Sequence, residues 1–155
     1  MESVVEIRDG RLRGSLQDAV TSFKGIPYAA GAGGARRFLP AQPVTPWTGV
    51  RDALSFGPRA PQDLDPSSGL VWREWIRDRQ PMGEDCLVLN VYAPADRAGA
   101  RRPVLFYIHG GGFNTGSGSA PGVDGSILAA RGDVVVVTIN HRLNVLGHLW
   151  LAESG

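Results

Sequence analysis

Apolar positions fall into short alternating runs early in the chain and into two unbroken blocks late in it. Val4–Ile7 and Leu12–Leu16 flank Arg8-Asp9-Gly10-Arg11. An Asp-Gly pair between two apolar runs is the strongest local signal for a hairpin. Ser22–Ala29 reads as another short extended piece, and Gly31–Pro46, rich in Gly, Ala and Pro, as loop. Thr48–Phe56 has room for a short strand or a turn. Gln62–Gln80 is irregular, with a short helix expected around Leu70–Ile76. In Leu87–Tyr92 the positions alternate, with Leu87, Leu89 and Val91 on one face and Val88, Asn90 and Tyr92 on the other. Val104–Ile108 and Val134–Ile139 are apolar on both faces, the pattern of strands covered on two sides.

Between those two blocks, Ser126–Arg131 predicts one or two helical turns, with Asp124 near the N-cap and Gly132 at the C′ position. Strand, glycine loop, short helix and strand make a βαβ unit, hence a parallel pair with a right-handed crossover. A further helix is expected to begin within Leu146–Glu153. The class is α/β: a mixed sheet with an antiparallel hairpin at its N-terminal edge.

Composition narrows the partners. The 155 residues are one domain's worth of chain, enough to bury a core. The net charge is +1 and no basic run stands out, which argues against nucleic acid and anionic membrane as partners. The start lacks a basic n-region and an apolar h-region. No apolar run is long enough to span a bilayer. A cytoplasmic protein is the expectation. The single cysteine, Cys86, excludes an internal disulfide.

The candidate chemistry lies in Tyr107–Gly116, YIHGGGFNTG. Acyl transfer produces an oxyanion, which is stabilised by backbone N–H groups aimed at one point. Glycines suit this, because without Cβ the backbone approaches a ligand closely and reaches positive φ. A run of three after a buried strand sets such donors at the carboxyl edge of a sheet, where α/β proteins bind ligands. An HGGG loop of this kind forms the oxyanion hole of lipases and esterases. A phosphate-binding loop fits less well: Gly111 and Gly116 have its outer spacing, but Ser117-Gly118 stands where Lys and Ser or Thr are needed. A dinucleotide fingerprint from Gly110 fails at Thr115. The plain alternative is a flexible glycine turn.

Taken together, the segments Phe23–Ala29 (FKGIPYA), Arg37-Phe38, Pro46–Val50 (PWTGV), Phe56–Gln62 (FGPRAPQ), Glu84–Tyr92 (EDCLVLNVY), His109–Phe113 (HGGGF) and Asp133–Leu149 resemble the N-terminal part of type-B carboxylesterases. That family includes the para-nitrobenzyl esterases and the cholinesterases. The resemblance covers nearly the whole chain, and the EDCL-x-LN-x-Y segment is what selects the type-B branch. It implies an α/β-hydrolase fold, a small-molecule ester substrate, and no metal or cofactor. It assigns oxyanion N–H groups to Gly111 and Gly112. His109, Gly110 and Phe113 would shape the loop and border the substrate. Trp72 and Trp75 would wall part of the pocket, with a small loop cluster as the equal alternative. Arg37 and Glu84 would form a structural salt bridge, the alternative being two solvated charges worth little. Asn140 and Arg142 fall at structural positions of the last motif.

Departures from the family matter too. Members often carry a cysteine near position 60 that bridges to the one at Cys86; here residue 60 is Ala. Cys86 is therefore expected to be a free, partly buried thiol acting as a small apolar filler. His141 and His148 stand where many members have Tyr and Phe, and are expected to pack rather than catalyse.

No G-x-S-x-G elbow is present. Ala152-Glu153-Ser154-Gly155 resembles one faintly but lacks the first glycine, and Ser117 and Ser119 lack the strand-turn-helix setting of a nucleophile. Residues 1–155 are thus expected to be the N-terminal portion of one hydrolase domain. Nucleophile, acid and base would lie beyond Gly155, and the chain alone would be inactive. A non-catalytic cholinesterase-like binding module, a truncated remnant, or complementation by another chain are the alternatives.

Overall fold

The computed structural model describes residues 2–63, 75–95 and 101–150. Its centre is a seven-stranded sheet built from β1 (Glu2–Ile7), β2 (Gly10–Gln17), β3 (Val20–Pro27), β4 (Val50–Asp52), β5 (Val88–Pro94), β6 (Val104–Ile108) and β7 (Val135–Ile139). The order is β1-β2-β3-β5-β7-β6, with β4 pairing β2 in parallel. The expected hairpin is β1–β2, closing at Ile7↔Gly10 around Arg8-Asp9. A second tight turn joins β2 to β3 through Asp18 and Ala19, both at positive φ (49° and 62°). Paired positive φ values are those of a type I′ turn, whose twist matches antiparallel strands.

β6 and β7 run parallel, joined through α1 (Ser126–Gly132). The start of α1 agrees with expectation and its end does not. The N-cap is Gly125; Asp124 sits one residue earlier, where its Oδ1 accepts the Ser126 N–H at 2.9 Å. The left-handed residue that ends the helix is Asp133 (φ 49°, ψ 41°), and Gly132 remains helical. Asp tolerates this conformation better than most residues, and here its carboxylate also accepts Arg102 Nε at 2.7 Å. The last expected helix is displaced as well. Helix α2 spans Asn144–His148, and the chain is already extended at Leu149 (φ −71°, ψ 126°). Of the helix expected around Leu70–Ile76, only Trp75 and Ile76 fall among the described residues, and both are helical.

The alternation in β5 divides the interior. Leu89 and Val91 pack with Leu12, Phe23, Ile26 and Ala53 on one face. Tyr92 packs with Val20, Val136 and Ala129 of α1 on the other. A third cluster joins Ala60, Cys86, Leu87 and Leu143 beneath the loops. β6 departs from its two-sided apolar pattern. It is the last strand of the sheet and exposed throughout, from 37% at Tyr107 to 62% at Val104 and Ile108. Among the described residues no strand pairs with its outer edge.

Candidate active site

β6 delivers the chain into the glycine loop at His109. Gly111 has φ 127°, and a Cβ there would lie 2.0 Å from the Thr115 carbonyl oxygen, so no other residue fits without moving the loop. Gly112 and Phe113 follow in the left-handed region at 60° and 65°. The turn is tied internally: Asn114 and Thr115 both donate N–H to the Gly111 carbonyl at 3.1 Å. Among the described residues, no acceptor meets the N–H of Gly111, Gly112 or Phe113. Around Gly112 the position of a Cβ is open space.

His109 is buried at the base of this loop, and its Nδ1 lies 2.9 Å from the Gly110 carbonyl. A carbonyl only accepts, so Nδ1 carries the proton and Nε2 the lone pair. Burial pushes this imidazole below the usual histidine pKa; the bond to Gly110 opposes the shift, and His141 adds to it. All three histidines of the chain meet here. His141 stacks on His109 with centroids 4.4 Å apart and planes 10° apart. His148 meets His141 edge-on at 5.9 Å and lies 4.7 Å from the Phe113 ring. His141, half-buried, and His148, exposed, thus make ring contacts with His109 and Phe113 of the loop. Helix α2 is fastened to it by the Asn144 N–H, which donates to the Phe113 carbonyl at 2.7 Å.

Beyond the loop, the chain is held by polar side chains of which sequence reasoning gave a structural role to Asn140 alone. The Gln62 carboxamide pairs with both backbone groups of Gly116, accepting its N–H and donating to its carbonyl, each at 2.9 Å. Ser117 Oγ donates to the Asp78 carboxylate and accepts the Ser119 N–H at 2.9 Å. Asn140, at the end of β7, accepts the Gly118 N–H at 2.7 Å and donates to the Pro58 carbonyl at 3.0 Å. Asn90 and Thr138 both donate to the Gly118 carbonyl, at 3.1 and 2.7 Å. Buried polar groups persist when paired in this way. The available signal was Asn90 itself, an amide in an apolar strand. Gln62 lay inside a quoted motif, but nothing in that motif pointed to its partner.

A cavity of about 380 Å³ opens beside the loop, with His109, Gly110, Gly111, Thr115 and Tyr107 in its wall. Gly112 and Phe113 are not in that wall, and Phe113 is 67% exposed. Trp75 is also outside it; its ring lies over Gly122, and Ile76 takes the lining position. Trp72 lies outside the described residues.

Arg37 and Glu84 meet as a two-pronged pair, Nε to Oε2 at 2.7 Å and Nη2 to Oε1 at 2.5 Å. Arg37 holds the Glu84 carboxyl below the usual carboxylate range. Arg142 Nη1 donates to the Leu39 carbonyl at 2.8 Å. Cys86 is fully rather than partly buried, and burial pushes its thiol up to about 11. A thiol in that state is inert packing, not a nucleophile.

The Carboxylesterase family profile matches residues 1–154. This chain belongs to that family, and its fold is that of the matching part of α/β-hydrolase esterases. It is 42% identical over 150 residues to the para-nitrobenzyl esterase of Bacillus subtilis (strain 168), covering 97% of this chain and 29% of that protein. Phenmedipham hydrolase of Pseudarthrobacter oxydans is 44% identical over 140 residues, covering 90% and 28%. Among solved structures, the Geobacillus stearothermophilus carboxylesterase EST55 superposes with a TM-score of 0.82 at 52% identity, covering 97% of this chain and 29% of that one. The chain thus spans less than a third of the length of these relatives.

Proposed function

We infer that the complete protein hydrolyses small carboxylic esters through a serine acyl-enzyme, and that this chain supplies the oxyanion-binding part of its catalytic domain. The observation that carries this is that the N–H groups of Gly111 and Gly112, both at positive φ, meet no acceptor among the described residues, with Gly111 in the wall of a cavity and Gly112 next to it in the chain. A serine hydroxyl attacks the ester carbonyl while a base takes its proton, both from polypeptide outside this chain, and the base later passes that proton to the leaving alcohol oxygen. The carbonyl π electrons move to oxygen, and the two amides receive that charge. Collapse expels the alcohol, and water repeats the sequence to release the acid. Each such donor contributes on the order of 10²–10³ in kcat. The exposed outer edge of β6 suits the strand that would bring the serine. The chemistry calls for no metal or cofactor.

The test is to express the reading frame with any continuation past Gly155 and assay it on a para-nitrophenyl acyl ester, with the 155-residue chain as control. Saturable turnover by the longer product and none by the control is expected. Turnover by the 155-residue chain, or none by a longer product bearing a G-x-S-x-G elbow, would refute the reading.

A further inference from the structure

Loops built on glycine have little stiffness of their own, so something outside residues 110–115 must fix where the donors point. Two close approaches, one to a side chain and one to the backbone, already close the base of the loop. A Cβ on Gly116 would lie 2.2 Å from His109 Nδ1 and 2.3 Å from the Gly110 carbonyl oxygen, so the exit strand of the loop lies directly against its entry. Among the described residues, the side chain that hydrogen-bonds Gly116 is Gln62, 54 residues earlier in the chain.

The roles of that carboxamide are unambiguous. Its Oε1 faces the Gly116 N–H, so it must be the oxygen; its Nε2 faces two carbonyls, of Gly116 at 2.9 Å and of Ala60 at 3.0 Å, so it must be the nitrogen. Both Nε2 protons are used. The bond to Ala60 locks the side chain to its own backbone, and the other two bonds treat Gly116 as a strand treats its neighbour. Asn carries the same groups but is one methylene shorter, and Glu has the length but, when ionised, has no proton to donate. We propose that Gln62 is the positioning residue of the oxyanion loop: its carboxamide clamps Gly116 and thereby sets the aim of the Gly111 and Gly112 amides. This rests on the esterase reading for its catalytic consequence, though not for the clamp.

The test uses Gln62→Leu and Gln62→Glu. In the longer product, Gln62→Leu lowers kcat on the order of 10- to 100-fold with KM nearly unchanged, since misaim penalises the transition state and not ground-state binding. Gln62→Glu behaves the same while its carboxylate is ionised. Once protonated, it again has one O–H for a carbonyl and one oxygen for the Gly116 N–H. The ratio of Gln62→Glu to parent kcat, per acylated site, therefore rises as pH falls from 7 towards 5, whereas the Gln62→Leu ratio stays flat. A flat ratio for Gln62→Glu overturns the proposal, and this variant decides the matter even if Gln62→Leu does not fold. In the 155-residue chain, hydrogen exchange gives an answer that needs no catalysis. The Asn114 and Thr115 amides, bonded within the loop, exchange faster in Gln62→Leu than in the parent; equal rates overturn the clamp. Loss of esterase activity in the parent would sink the functional reading alone, leaving the exchange result to judge Gln62.

Discussion

Gly111→Ala is the sharpest test of the proposed oxyanion loop. The new Cβ would start 2.0 Å from the Thr115 carbonyl oxygen, where ordinary contact begins at 3.4 Å, so the loop or Thr115 must yield 3.4 − 2.0 = 1.4 Å. The φ of 127° adds strain on top, because L side chains rarely adopt it. Thr115 has little freedom to retreat: its N–H is bonded to the Gly111 carbonyl, and its neighbour Gly116 is held by Gln62. The donors must therefore move by about an ångström, and misplacement of that size costs roughly 10²-fold in rate. Losing one donor outright costs on the order of 10²–10³. The expected outcome in the longer product is a fall in kcat within that range, with KM little altered. Gly49→Ala is the matched control. Gly49 also has a positive φ, 79°, but a Cβ there meets nothing within 4 Å and lies far from the loop in sequence. It should cost about 1 kcal/mol in stability and nothing in kcat. Retention of kcat within a factor of about three by Gly111→Ala would refute the argument, since the structure leaves no harmless place for the methyl group.

Three further outcomes follow from other parts of the molecule. His109 is held neutral, its pKa below the ordinary value of about 6.5. Its contribution to stability is thus present above pH 6.5 and is lost as pH falls from there through the folded value; urea unfolding between pH 7.5 and 5.5 should show a shallower pH dependence for His109→Gln, and equal slopes would discount the burial. Ala60 and Cys86 share one buried cluster, so Ala60→Cys should form a disulfide under oxidised glutathione, stabilising by roughly 3 kcal/mol, and two thiols still titratable after denaturation would contradict that. Phe106, 54% exposed on β6, should show opposite effects in two contexts. Phe106→Lys should reduce light scattering by the 155-residue chain, because charge blunts an open edge, but should destabilise the longer product by about 3 kcal/mol or more if further polypeptide covers that strand; equal stability in the longer product would show β6 uncovered there.

The parts of the fold that were legible are those where one residue states its own requirement. Asp9-Gly10 marked the first hairpin, and alternation separated Leu89 and Val91, facing Leu12 and Phe23, from Tyr92 under α1, while Leu87 packs in a third cluster. The second turn was not legible, because Ala19 has no turn signature; its left-handed φ is imposed by pairing of β2 and β3 around it. Thr48–Phe56 read as holding a short strand or a turn, and β4 lies there, but it was too short to show a period, and its place beside β2 comes from distant backbone bonds, Trp47 N–H to Asp9 and Ala53 N–H to Arg13. The end of α1 misled because glycine is the usual left-handed residue, yet Asp133 takes that place with Arg102 as its partner. At the candidate site the glycines advertised themselves. Gln62, Asp78 and Ser117 did not: they sit in irregular segments, and their partners are 54 and 39 residues away.

That contrast bears on where the precision of such a site resides. Arg37–Glu84 is the more conspicuous interaction, but Arg37 remains 47% exposed, and exposed pairs contribute little. The loop is secured instead by neutral groups that are nearly all paired. Asn90 and Thr138 hold Gly118 to β5 and β7, Asn140 bridges Gly118 and Pro58, and Gln62 holds Gly116. Removing one partner strands the other away from water, which costs more than the bond contributes, so the network resists partial loosening. Fixed dipoles stabilise a developing charge best when they need not reorient as it forms. On the esterase reading, the described residues that hold Gly116 and Gly118 belong to this chain, so its own folding contributes to the aim of the proposed donors at Gly111 and Gly112.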